Sequence, residues 1–248
     1  MYNNIKNKLV QTGHSIGESL LPTLKVSSIE NGILTPEEFV KSGDQLIRTS
    51  PTWQWTSGHP ECRRNYLPAD KQFLITRSVP CIERIAEIEF TEDNEWSISN
   101  TFSKEEIPTI PSDIESESED EQEDYQLISD TNIQQTRTYD IMITYDNYYR
   151  TPRMWLYGYQ FDGQPLSRDD MMSDIMQDYV NKTVTFESFP FYKSGMLYLS
   201  IHPCRHSEVM KKLFNVQKPE QYLFLFLKFM QSVIPTIEYD FTKSFELN

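Results

Sequence analysis

Cys204 is the residue in this sequence whose surroundings best suit chemistry. It stands in the run His202-Pro203-Cys204-Arg205-His206, directly after a strand-like segment, with a guanidinium and two imidazoles within two residues. Cationic neighbours lower a thiol pKa and favour the thiolate, which is the attacking form, and a strand end leaves it reachable. Three other readings stay open at this point. A lone intracellular cysteine is commonly a small buried hydrophobe. His202-x-Cys204-x-His206 and the distant His59-x-x-Cys62 together hold enough donors for tetrahedral zinc. Alternate residues share a face only while a strand continues, however, and Pro203 argues against that. A cysteine hydrolase needs a histidine and an orienting amide or carboxylate near the thiol, and the distant His14 and His59 stand in unpromising contexts. Cys62 and Cys81 read as structural or surface thiols.

The elements that must position Cys204 belong to one folded domain. A chain of 248 residues, 38% hydrophobic and 13% aromatic, can bury one good core with room for a long insertion. The net charge of −14 is concentrated: eight of the twelve residues from Asp113 to Asp124 are acidic, and without them the balance is about −6. The acidity therefore describes a segment and not the fold. The absence of a basic face to displace phosphate counterions argues against nucleic acid as a partner. Three cysteines, no signal peptide and no bilayer-length apolar run suggest a reducing, cytoplasmic setting. No Gly-rich phosphate loop is present, and no cofactor or metal is expected.

Thr35-Pro36-Glu37-Glu38 reads as a helix start, with Thr as cap, Pro first and Glu at the capping-box position. Strand-like runs follow at Thr52–Trp55, Phe73–Thr76 and Ile85–Phe90. From Thr91 to Gln135 the composition turns to Ser, Glu, Asp and Pro, too polar to offset chain entropy, so this segment reads as a disordered loop. Order resumes with strands Tyr139–Tyr145 and Arg153–Phe161. A helix capped by Ser167-x-x-Asp170 should then carry Met171, Met172, Ile175, Met176 and Tyr179 on one face. Strands Thr183–Phe189 and Met196–Ile201, a helix over Ser207–Phe214 and a core helix over Tyr222–Ile234, stopped by Pro235, complete the chain. Neither side of the loop has enough apolar surface alone. The expectation is an α+β fold, an antiparallel sheet of about four strands with helices on one side. Its parts would be an amphipathic helix over 1–25, a core over 26–90 and 137–248, and an insertion over 91–136.

Two segments outside the core carry patterns of their own. Ile5, Leu9, Ile16, Leu20 and Leu24 fall near one helical face, which fits either a helix packed on the domain or one that folds on a lipid surface. Periodicity leaves these tied. In the loop, acidic residues precede Tyr125-Gln126-Leu127-Ile128, an aromatic–aliphatic spacing that suits β-augmentation on a partner's sheet edge.

Several runs together resemble the autophagy-related conjugating enzymes that act on a lipid-linked ubiquitin-like modifier. They are Pro51-Thr52-Trp53-Gln54-Trp55, Tyr139-Asp140-Ile141 through Thr144-Tyr145-Asp146, Lys182-Thr183-Val184-Thr185, His202-Pro203-Cys204-Arg205-His206 and Ile234-Pro235-Thr236-Ile237-Glu238-Tyr239-Asp240. The resemblance implies a ubiquitin-conjugating-enzyme-like fold and a thioester on Cys204, received from an activating enzyme that docks on the acidic insertion. It implies transfer to phosphatidylethanolamine, with Thr183 as oxyanion support where ordinary relatives use asparagine, and His202 as local support. It makes Ile5, Leu9, Ile16 and Leu20 a membrane-sensing face and adds a ligase-like conjugate complex of the autophagy pathway as a partner. The sequence departs from many relatives in a shorter insertion and in a short stretch between Leu213 and Tyr222 that lacks tryptophan. Tyr125 and Ile128 are then the candidate modifier-binding residues. A catalytically silent scaffold that binds the same partners is the alternative function.

Overall fold

The computed structural model describes residues 22–81, 136–180, 182–214 and 218–237. Ile5, Leu9, Ile16, Leu20, Tyr125, Ile128, the acidic loop and the expected strand Ile85–Phe90 lie outside the described residues. Helix α1 spans Pro36–Thr49, and its start follows the expected chemistry. The Thr35 hydroxyl accepts the Glu38 N–H at 3.1 Å, and the Glu38 carboxylate accepts the Thr35 N–H at 2.8 Å. Both orphan donors at the helix end are thereby satisfied.

The α+β class and the antiparallel sheet hold, but the sheet has six strands where about four were expected. They are β1 (Gln54–Thr56), β2 (Phe73–Cys81), β3 (Arg137–Asp146), β4 (Thr151–Tyr159), β5 (Val184–Ser188) and β6 (Leu197–Ile201). Their spatial order is β1-β2-β3-β4-β6-β5, with every pair antiparallel. At one end three-residue β1 pairs with β2, and at the other the β5–β6 hairpin joins β4 through β6; each of the six strands overlaps a run already strand-like in the sequence. Because β2 pairs with β3, residues from both sides of the insertion build one core.

One sheet face meets the helices. Leu74, Ile141, Ile143, Met154, Leu156 and Leu199 pack with Phe39 and Leu46 of α1 and with Leu223, Phe226 and Met230 of a later helix. The opposite face is aromatic, with Phe73, Trp155, Tyr157, Phe189, Phe191 and Tyr198 in a second cluster, several rings edge to face. This explains why β4 is buried on both faces from Thr151 to Gly158.

Two helices differ from expectation. Ser167 does cap a helix, accepting the Asp170 N–H, but α2 ends after six residues (Arg168–Ser173). The apolar stripe from Met171 to Tyr179 is therefore not one helical face. The reason is Asp174, fully buried, which accepts from Arg137 and from the Tyr139 hydroxyl at 2.6 Å. That network draws the chain away from the helical path, and Met176 then bonds to Val233. Near the cysteine, winding begins earlier than Ser207: a 3-10 turn spans Pro203–Arg205, α3 spans His206–Val209, and a π turn follows over Met210–Phe214. Pro203 at the first position, with its pre-set φ, starts that turn. The last helix, α4 (Tyr222–Val233), ends before Pro235 as expected. No helix among the described residues is long and apolar enough to cross a membrane.

Candidate active site

The site forms where β6 ends. His202 donates its backbone N–H to the Thr183 carbonyl at 2.7 Å, extending the β5–β6 ladder by one step and placing Thr183 opposite His202. The His202 Nδ1 accepts the Cys204 N–H at 3.3 Å, which caps the 3-10 turn. Cys204 is exposed, whereas Cys62 is half-buried and Cys81 is buried. The Thr183 hydroxyl oxygen is enclosed and has no hydrogen-bond partner among the described residues.

A third segment closes on the same histidine. In the β3–β4 turn the Asp146 carboxylate accepts the N–H groups of Tyr148 and Tyr149, each at 3.0 Å. Arg150 turns the chain in the left-handed region, at φ 57°. The Tyr149 ring then meets the His202 ring edge to face, with centroids 5.1 Å apart. Arg153, buried, locks the strands that carry these groups. Its guanidinium bonds Ser200 of β6 at 2.8 Å and Glu187 of β5 at 2.6 Å, and covers the Trp155 ring at 4.4 Å. Neither Tyr149 nor Arg153 was singled out from the sequence. A turn residue and a buried cation have no periodicity, and only the adjacent Asp146, a turn-forming type, hinted at the turn.

The N-terminal segment braces the helix behind the cysteine. Gly32 has φ 73°, and a Cβ there would lie 2.1 Å from the Ser207 carbonyl oxygen, so only glycine permits this approach. The buried hydroxyls of Tyr222 and Tyr145 bond the carbonyls of Gly32 and Leu34, both at 2.6 Å. Leu34 in turn donates to the Arg150 carbonyl at 2.8 Å, tying the segment to the Tyr149 turn.

His206 corrects the expectation of a cationic cluster around the thiol. Its side chain turns into the core, 2% exposed, with Nδ1 3.0 Å from the Pro152 carbonyl oxygen and rings of Phe226 and Phe229 alongside. Burial pushes its pKa down to about 4, so the ring is neutral near pH 7. With His206 neutral, Arg205 is the permanent cation next to Cys204 in the chain. The zinc reading fails for the same reason, since His206 points away from His202 and Cys204. Among the described residues no three His, Cys, Asp or Glu side chains converge as metal ligands.

A pH dependence follows. The folded-state pKa of His206, about 4, lies below the ordinary 6.5, so between these values the unfolded chain binds more protons. Stability is then fully present above pH 6.5 and falls as pH drops towards 4. Between pH 7 and 5 the loss is expected to be roughly 2 kcal/mol. Urea unfolding at both pH values tests this, and His206→Phe should flatten the slope. An equal slope in the variant would assign the loss to other groups.

Comparison with known proteins places this geometry in a family. Residues 38–241 match the family model described as autophagocytosis associated protein, active-site domain. Autophagy-related protein 3 of Arabidopsis thaliana is 39% identical, over 88% of this chain and 90% of that protein. Autophagy-related protein 3 of Dictyostelium discoideum is 37% identical, over 92% and 95%. That of Saccharomyces cerevisiae (strain ATCC 204508 / S288c) is 34% identical, over 91% and 96%. The chain therefore belongs to the autophagocytosis-associated family, the autophagy-related conjugating enzymes that its motifs resemble.

Proposed function

We propose that this chain accepts a ubiquitin-like modifier as a thioester on Cys204 and transfers it to the amine of phosphatidylethanolamine during autophagosome formation. The observation that carries this reading is the exposed thiol of Cys204, held at a strand end beside Thr183 and His202. In the first step the Cys204 thiolate attacks the thioester carbonyl of the charged activating enzyme and expels that enzyme's thiolate. In the second, the lipid amine attacks the new thioester, an oxyanion forms, and Cys204 leaves.

Thr183 is assigned to oxyanion support. An enclosed hydroxyl without a partner costs about 1–3 kcal/mol, and an oxyanion arriving beside it offsets that cost. His202 acts locally, holding the Cys204 N–H and the geometry of the turn. The N-terminal face of Ile5, Leu9, Ile16 and Leu20 rests on the bilayer, which concentrates the amine near the thioester. The acidic insertion docks on the activating enzyme, Tyr125 and Ile128 bind the modifier, and a ligase-like conjugate complex promotes transfer. The setting is cytoplasmic with peripheral recruitment to autophagic membranes.

The test is a thioester assay with modifier, activating enzyme and ATP, resolved on a non-reducing gel. A band that disappears with thiol reductant and with Cys204→Ala is expected, followed by transfer when phosphatidylethanolamine vesicles are added. No thiol-sensitive adduct from a properly charged activating enzyme would leave the chain a scaffold.

A further inference from the structure

The Thr183 carbonyl and the Tyr149 ring meet His202 from opposite sides. The strand order sets this, because β5, which follows Thr183, lies on one side of β6, while β4 and β3, joined by the Tyr149 turn, lie on the other. We propose that the Tyr149 phenol is a hydrogen-bond donor to the oxyanion formed at the Cys204 thioester, acting from the side of β6 opposite Thr183. This assignment rests on the thioester reading above and names a group which that reading does not include.

Contacts link Tyr149 through His202 to the backbone of Cys204. Its ring lies edge to face with the His202 ring at 5.1 Å, and that ring's Nδ1 holds the Cys204 N–H at 3.3 Å. Tyr149 is half-buried. Burial raises its pKa. A phenol shifted upward stays protonated near pH 7 and so remains a donor. The turn that carries it is held on both sides: Asp146 accepts two N–H groups, and Arg150 is bonded through its N–H to Asp146 and through its carbonyl to Leu34. A pre-positioned donor of this kind needs little reorganisation as charge develops.

The Cys204 N–H is engaged by His202 and so is less suited to meet the oxyanion in this arrangement. In the transfer step the amine nitrogen forms a bond to the thioester carbon, and the carbonyl π electrons move to oxygen. That oxyanion accepts the Tyr149 O–H hydrogen bond. Collapse restores the carbonyl and breaks the C–S bond. The ammonium proton passes to solvent or to the departing thiolate, giving an amide and a free thiol.

The test separates charging from discharge. Full-length protein is charged with modifier, the activating enzyme is quenched, and single-turnover loss of the thioester is followed with phosphatidylethanolamine vesicles and, separately, with free ethanolamine. Tyr149→Phe keeps the ring against His202 and removes only the O–H. Thermal unfolding and the final extent of charging should match wild type, while discharge to both amines falls by about 10- to 100-fold. Discharge of Tyr149→Phe at the wild-type rate would overturn the assignment and leave the ring as a brace for His202. A loss confined to vesicles would overturn it too, because it would place the phenol on the lipid and not on the oxyanion. If wild-type protein forms no thioester, the thioester reading itself fails and this assignment with it. With a wild type that charges normally, any change in discharge belongs to Tyr149 alone.

Discussion

Cys204→Ser is expected to trap the modifier on the enzyme as an oxygen ester and to abolish transfer to lipid. A serine hydroxyl at the same exposed position of the 3-10 turn can still be reached by the charged activating enzyme, although it is a far weaker nucleophile than a thiol. Once formed, the ester lacks the thioester's activation towards amines, and the alkoxide is a poor leaving group, so discharge slows by orders of magnitude. On a gel the adduct should survive the thiol reductant that cleaves the wild-type thioester, yet still break in mild alkali, as an ester does and an amide does not. Mass spectrometry of the adduct locates the bond at residue 204. A serine variant that transfers modifier to phosphatidylethanolamine at the wild-type rate would show that residue 204 does not carry it.

The second large effect concerns folding, at Asp174. Its carboxylate is fully buried, accepts from Arg137 at 3.2 Å and from the Tyr139 hydroxyl at 2.6 Å, and its carbonyl accepts from Thr236 at 2.9 Å. Burial and the Asp174 charge hold the Tyr139 phenol well above its ordinary pKa, so it remains a donor to that carboxylate. Asp174→Ala leaves a largely buried guanidinium and a buried hydroxyl without this partner. Removing one member of a buried ion pair costs about 3–5 kcal/mol, a large share of the ~5–15 kcal/mol that holds a domain together. Arg137 keeps Asp170, but at a more exposed position, where an ion pair contributes about 0–1 kcal/mol. Chemical denaturation should therefore show Asp174→Ala losing at least about 3 kcal/mol, and Asp174→Asn less, because the amide oxygen still accepts from Tyr139. A change below about 1 kcal/mol in the alanine variant would mean that Arg137 and Tyr139 find other partners.

What could be read from the sequence was local. The capping box of Thr35 and Glu38, the Ser167 cap and the apolar run ended by Pro235 all act within one helical turn, so neighbouring residues suffice to specify them. Cys204 stood out for a similar reason, since its suspicious neighbours adjoin it in the chain. The tertiary structure then changed what those neighbours do. His206, two residues away, is buried against Pro152 and two phenylalanines, and whether an imidazole meets solvent or core depends on helix α4, which the adjacent residues do not encode. Likewise, α2 stops short of the expected stripe because Asp174 answers to Arg137 and Tyr139, more than thirty residues earlier. The six-strand order brings Thr183, Tyr149, His202 and Cys204 to one place from β5, the β3–β4 turn and the end of β6. That convergence is set by cross-strand register and by the buried Arg153, both long-range effects of packing. The candidate nucleophile of the proposed reaction could thus be named from the chain alone, whereas the groups that surround it were decided by the fold.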